Sequence, residues 1–249
     1  MNPGDPGSGH YYRGGQPSGP WVPAGRPEFA RITDGFKYVK QALGPWILGL
    51  IIYFVISQVM GLIAQQVAVT VMGRSPQTLQ SEDLPQFFAL IWLQFVLGMA
   101  GAVVVAPIFA GLYAIALQLL RGQEAQIDTL FKGYSRFADI AIVYLASTFL
   151  MWIGFLLCII PGLVIGACLA PAYLFVMDRG MTGMEAIRAS WRMTSPHLLS
   201  ATAYFFFAGL LAVAGFLLCG VGILFTFPIL FLSITALYLD LNGPEAKAA

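Results

Sequence analysis

The sequence predicts an all-α, polytopic membrane protein with six transmembrane helices. Of its 249 residues, 58% are hydrophobic and only 10% are charged, whereas charged residues make up about 25% of an average soluble domain. Apolar runs long enough to cross ~30 Å of hydrocarbon as helices recur along the chain. In addition, 12 of the 13 basic residues fall in segments that six spans would place on one side of the membrane.

Both ends of the chain are expected to lie outside the membrane. Residues 1–27 are crowded with Gly and Pro, and such segments bury too little apolar surface to fold, so we expect a disordered tail. Residues 244–249 form a short polar tail, and residues 28–243 constitute the predicted six-span domain. The first apolar run has no small-residue cleavage site at the right distance, which is typical of a retained span and not of a signal peptide.

The first unit combines an amphipathic helix with a span. Within residues 28–44, apolar residues recur every three or four positions opposite Arg31 and two lysines. This pattern predicts a helix that lies in the membrane interface. The first span follows at about 46–72, and the polar run 73–83 forms a loop on the far side.

The run from Leu84 to Leu120 allows two interpretations. As a single helix its 37 residues would reach about 55 Å, further than the bilayer core. It is therefore either one long helix kinked at Pro107 or two separate spans. A seventh span would invert the chain after Pro107 and scatter the basic residues over both sides, so we favour one long, kinked helix over 84–120.

The rest of the chain is predicted to contain two further interfacial helices and four spans. Residues 123–136 form the second interfacial helix, with one apolar side made of Leu130, Phe131, Tyr134 and Phe137. The third begins at Thr182, where Glu185 completes a capping box. A turn is expected at Pro161-Gly162. The spans are predicted at about 139–160, 163–178, 198–218 and 222–240.

These segments follow a common pattern of an interfacial helix and a helical hairpin. An aromatic residue and a cation precede the hairpin in each unit, namely Phe36-Lys37, Phe131-Lys132 and Trp191-Arg192. The pentapeptide Gly-Phe-Leu-Leu-Cys also occurs twice, at 154–158 and at 215–219. The sequence therefore predicts an internal threefold repeat whose hairpins pack against each other.

The basic residues predict the orientation of the chain. They lie in the N-terminal region, in segments 121–136 and 179–196 and in the C-terminal tail, and only Arg74 falls elsewhere. Because loops rich in Lys and Arg stay in the cytoplasm, both termini are expected there. The predicted location is the bacterial cytoplasmic, or inner, membrane.

The sequence offers no constellation for catalysis or metal binding. Asp139, Asp178 and Asp240 sit at the ends of predicted spans, so no ionisable residue lies deep enough to form a proton relay. The three cysteines have no paired spacing, and P-loop, His-Glu-x-x-His and Gly-x-Ser-x-Gly motifs are absent from the sequence. A net charge of +1 gives no strong field for nucleic acid. We expect no enzyme, no cofactor and no nucleic-acid partner.

The candidate contact residues belong to the three interfacial helices. Cations near a membrane surface attract anionic headgroups by about 1 kcal/mol each, and the residues proposed for this contact are Phe36, Lys37, Phe131, Lys132, Arg188, Trp191 and Arg192. Broken helices line the solute sites of transporters, and the candidate helix breaks are Pro107, Pro161, Pro171 and Pro228.

Three functions remain open. The first is a non-enzymatic membrane component that binds lipids, a membrane-protein partner or a second copy of itself. The alternative is a small transporter or channel for a polar or amphiphilic solute. An intramembrane enzyme ranks third.

Two groups of motifs also carry a resemblance. The first resembles the bacterial integral membrane proteins grouped as domain of unknown function 975; its motifs are Pro107, Gly111-Leu-Tyr113, Arg121-Gly122 and Leu130-Phe-Lys-Gly-Tyr134. The second resembles the membrane domain attached to some glycerophosphodiester phosphodiesterases; its motifs are Ile160-Pro-Gly162, Asp178-Arg-Gly180 and Glu185-Ala-Ile-Arg-Ala-Ser-Trp191. Together they cover roughly 30–243. The resemblance implies a six-span bacterial inner-membrane protein and brings no active site, because the phosphodiesterase chemistry lies in a separate soluble domain.

Overall fold

The computed structural model describes residues 43–73, 84–217 and 223–242. The predicted tails, the first interfacial helix with Phe36 and Lys37, most of the 73–83 loop and the turn before the last span lie outside these residues. Within them the chain is helical and contains no strand. The α-helices are α1 Leu43–Met72, α2 Leu84–Leu120, α3 Phe137–Leu157, α4 Ile159–Leu169, α5 Ala172–Arg179, α6 Gly183–Thr194, α7 Leu198–Leu217 and α8 Ile223–Asn242.

Two 3-10 helices complete the described part of the chain. The longer one, Ile127–Arg136, precedes α3, and a short one, Ser195–His197, joins α6 to α7. Among the residues that the structure describes, five helical stretches are long and apolar enough to cross a membrane, and a sixth, Thr226–Asn242, is apolar but shorter. The prediction of an all-α polytopic membrane protein is confirmed.

The prolines do not all break helices. Pro107 lies inside α2, which continues as one helix from Leu84 to Leu120, and Pro228 lies inside α8. Pro171 lies with Ala170 between α4 and α5, so the predicted fourth span, 163–178, is interrupted there.

The hairpin between α3 and α4 turns earlier than expected. The break lies at Cys158, which has an extended backbone, and Pro161 and Gly162 already belong to the first turn of α4. The prediction of a turn at Pro161-Gly162 is therefore wrong. Proline is tolerated in a first turn because the N–H that it lacks has no helical partner there.

Three helices that run in the same direction form the centre of the bundle. The C-terminal half of α2, the short α5 and the C-terminal half of α8 are almost entirely buried, whereas α1 and α3 expose long apolar stretches. Aromatic rings fill the space between the central helices. Tyr113 of α2 stacks on Tyr173 of α5 at 5.7 Å and meets Phe231 of α8 edge-on at 4.6 Å between ring centroids.

The long 3-10 helix packs directly on α2 through two glycines. A Cβ atom on Gly111 would collide with the backbone of Leu130, and one on Gly133 would collide with the backbone of Pro107. The Tyr134 hydroxyl extends the contact by donating to the carbonyl of Val104 at 3.0 Å. The 3-10 helix therefore lies along α2 with backbone against backbone.

Candidate functional site

The ends of the central helices are joined by a buried ion pair. Arg121, which follows α2, binds both carboxylate oxygens of Asp178 in α5, at 2.7 and 2.8 Å. Tyr238 of α8 donates its hydroxyl to the same carboxylate at 2.9 Å. The side chain of Asp178 is 3% exposed and that of Arg121 is 23% exposed. Because a buried charge is costly unless it is paired, this contact fixes the three helix ends together. The 3-10 helix Ile127–Arg136 adjoins this ion pair, and α6 reaches the end of α8 through the contact of Met193 with Asn242 at 2.9 Å. We call this end of the bundle, with the 3-10 helix and α6, the basic end.

A second link joins α5 to α8. Arg179 donates to the side-chain oxygen of Asn242 at 3.2 Å and lies over the ring of Phe175, 5.4 Å from its centroid. Gly180 then ends α5 in the left-handed conformation, with a φ of 61°. After this turn the chain leaves the three central helices and continues into α6.

The long 3-10 helix covers the end of α2 with a hydrogen-bonded group around Thr129. Its buried hydroxyl accepts from the Gln118 amide at 3.1 Å and from the Lys132 ammonium at 3.3 Å. Lys132 also faces the Asp128 carboxylate at 3.8 Å, and Arg136 faces that of Asp139 at 3.6 Å. The two cations of this helix therefore form long, weak ion pairs, Lys132 with a carboxylate of the same helix and Arg136 with a carboxylate of α3.

The predicted apolar side of this segment is divided between two environments. Leu130 is fully buried, whereas Phe131, Tyr134 and Phe137 are exposed. The prediction assumed an α-helical period, but in a 3-10 helix residues three apart align. Leu130 therefore shares its side with Gly133, and the three aromatic residues form an outward side beside Lys132.

Helix α6 has a buried small-residue side and an exposed aromatic and basic side. It begins with the predicted capping box between Thr182 and Glu185. The N–H of Gly183 donates to Asp139, and the Ser190 hydroxyl donates to the carbonyl of Cys168. These contacts fix the helix on α3 and α4. The exposed side chains of this helix are Met184, Glu185, Arg188, Trp191 and Arg192, and Glu185 lies close enough to Arg188 to interact with its charge.

A cleft of about 470 Å³ opens between α2, the long 3-10 helix and the end of α5. Arg121, Lys132 and Arg136 contribute positive charge to its walls, and Asp178 contributes the negative charge that is paired with Arg121. Its neutral polar residues are Gln118, Thr129 and Ser135, and its apolar residues are Ala114, Leu117, Val176 and Met177. The cleft thus combines cations, hydroxyl and amide groups and an apolar wall at the basic end.

Curated mycobacterial proteins are similar to part of this chain. An uncharacterized protein of Mycobacterium bovis is 30% identical over 141 residues, which are 56% of this chain and 43% of that protein. An uncharacterized protein of Mycobacterium tuberculosis strain H37Rv is 29% identical over a stretch of the same length. The chain spans less than half of the length of these relatives. No protein-family model and no solved structure matches it.

A second, smaller cleft of about 240 Å³ lies between α1, α2 and α3. It is lined mainly by glycine and apolar side chains, and its polar groups are Tyr53, Ser57 and Tyr144. Within the described residues, no group of three or more His, Cys, Asp or Glu side chains could hold a metal ion. This cleft offers three hydroxyl groups and no charge.

The sequence pattern singled out only part of the basic end. Phe131, Lys132, Arg188, Trp191 and Arg192 are exposed in the structure. The pattern missed the pairing of Arg121 with Asp178, which are 57 positions apart, and it missed the role of Arg136. The available signal was chemical: Asp178 ends an apolar run, where a carboxylate needs a cation close by.

Proposed function

We propose that the protein is a non-enzymatic component of the bacterial cytoplasmic membrane that binds anionic lipid headgroups at its basic end, which faces the cytoplasm. The observation that carries this proposal is the exposed side of α6. There Trp191 lies beside Arg188 and Arg192, while the opposite side of the same helix is fixed on the bundle. The long 3-10 helix repeats the combination with Phe131 and Lys132.

The chemistry of these residues suits the membrane surface. Tryptophan and other amphipathic rings are enriched at the level of the headgroups, and each cation near an anionic surface contributes about 1 kcal/mol. Because neither segment has to fold on binding, little additional chain entropy is lost. The proposed contact therefore uses a surface that is already ordered.

The aromatic packing between the central helices favours lipid binding over transport of a polar solute. A transporter of a polar solute needs a polar cavity near the middle of the membrane. In the described residues, rings of Phe109, Tyr113, Tyr173 and Phe231 pack between the central helices, with centroids 4.6 to 5.9 Å from neighbouring rings. The cleft beside them, at Tyr53, Ser57 and Tyr144, has a volume of only about 240 Å³ and no charged group. Opening a solute path there would require these contacts to separate.

The proposal is tested by the lipid that remains with the purified protein. We expect the triple variant Lys132→Gln, Arg188→Gln, Arg192→Gln to retain at least tenfold less anionic lipid, because three favourable charges are removed. The amount of zwitterionic lipid should stay the same. The matched control is Lys132→Arg, Arg188→Lys, Arg192→Lys, which preserves charge and should retain lipid as the wild type does. Equal anionic lipid in all three proteins would refute the proposal.

A further inference from the structure

We infer that the cleft at the basic end binds the phosphate group of an anionic phospholipid, and that Lys132 and Arg136 exchange their present carboxylate partners for it. This inference rests on the proposed function and names the site and the chemical group. Attraction to the surface alone needs no pocket and has no fixed stoichiometry. If the cleft is the binding site, lipid binding should saturate at one molecule per chain.

The inner wall of the cleft is a fixed, neutral pair. Asp178 accepts from both Arg121 and Tyr238 at 2.7 to 2.9 Å. Charge-assisted bonds of this length are the strong ones, so we expect this pair to stay intact when a ligand enters. Asp178 therefore stays neutralised and does not repel an anion at the mouth of the cleft.

The cations at the mouth are held loosely. Lys132 is 54% exposed and 3.8 Å from Asp128, and Arg136 is 46% exposed and 3.6 Å from Asp139. Exposed ion pairs contribute only about 0–1 kcal/mol. Asp139 faces Arg136 through one long contact at 3.6 Å. A phosphate in the cleft can instead accept from two guanidinium N–H groups of Arg136 at once. Little ion-pair energy is therefore lost when these partners are exchanged.

Neutral donors and apolar residues complete the site. The Gln118 amide donates to the Thr129 hydroxyl at 3.1 Å beside Lys132, and the Thr129 hydroxyl donates to Asp128 at 3.4 Å. The second N–H of the Gln118 amide can donate to a phosphate oxygen. Leu117, Val176 and Met177 line the same cleft, and the exposed Phe131 precedes Lys132 in the chain. Free phosphate has no apolar atoms to bury against the apolar wall, whereas a lipid can bury its glycerol carbons and its first methylene groups there.

The test is native mass spectrometry of the full chain in detergent with added phosphatidylglycerol at high salt. The wild type should retain one phosphatidylglycerol molecule per chain. Arg136→Gln and, separately, Lys132→Gln should each lower its occupancy at least tenfold. Arg188→Gln with Arg192→Gln removes two cations of the proposed binding surface that lie outside the cleft. This variant should lower the anionic lipid retained at low salt, as the proposed function requires, but should leave the one molecule held at high salt in place. Unchanged unfolding midpoints confirm that the variants are folded.

Other outcomes separate the inference from the proposed function. An equal loss in the cleft and α6 variants would overturn the cleft and leave surface binding intact. No preference for anionic lipid in the wild type would overturn both. Displacement of the lipid by millimolar inorganic phosphate would overturn the lipid assignment and give the cleft to a free phosphate.

Discussion

Replacing Asp178 with alanine should destabilise the protein by about 3 kcal/mol. Removing one partner of a buried ion pair typically costs ~3–5 kcal/mol because the other charge is left uncompensated, and the partial exposure of Arg121 places the loss at the lower end. Tyr238 would also lose its acceptor. Chemical unfolding in detergent micelles measures the change in the free energy of unfolding.

The control for this prediction is Asp128→Ala. Asp128 is exposed and faces Lys132 at 3.8 Å, so its loss should change stability by less than about 0.5 kcal/mol. In addition, the double variant Arg121→Leu, Asp178→Leu should be more stable than Asp178→Ala, because it leaves no unpaired charge. Equal effects of Asp178→Ala and Asp128→Ala would show that the buried pair does not join the helix ends.

Alanine at Gly111 or Gly133 should have an effect of similar size. The added Cβ would meet backbone atoms of Leu130 or of Pro107, respectively, and backbone cannot move aside by changing rotamer. Overpacking of this kind costs about 1–3 kcal/mol or more. We also expect the long 3-10 helix to detach from α2, which would expose its backbone amides to hydrogen exchange.

Gly61→Ala and Gly98→Ala provide the controls. Both glycines lie in helices, and a Cβ at either position would meet nothing within 4 Å. Because alanine favours the helix over glycine, these variants should be neutral or stabilised by up to roughly 1 kcal/mol. If all four variants behaved alike, the close approach between α2 and the 3-10 helix would not hold the basic end together.

The fold class could be predicted because it depends on composition and on the length of apolar runs. The same reasoning failed for local geometry at Cys158 and in the 127–136 segment. Proline and glycine mark a change of direction without fixing the residue at which the chain turns. Aromatic and apolar spacing of three or four suits both α and 3-10 helices, whose periods diverge after one turn.

The candidate site was only partly predictable for a different reason. A cation next to an aromatic residue is a local pattern. It therefore identifies Lys132 and Trp191 as candidates from the sequence alone, without knowledge of the tertiary structure. A cleft is a property of packing between distant segments. Gln118 and Arg136 belong to it only because glycines let the 3-10 helix approach α2 and because α5 ends at Gly180.

The central claim is that the basic end contacts anionic lipid, and photocrosslinking from a single position tests it most directly. A photoreactive amino acid would replace either Trp191, which is 44% exposed at the basic end, or Trp152, which is 60% exposed near the far end of α3. Each protein would be placed in vesicles with an increasing fraction of phosphatidylglycerol. We predict that crosslinking to this lipid exceeds its molar fraction at position 191 and only matches it at position 152. Crosslinking that matches the molar fraction at both positions would contradict the claim.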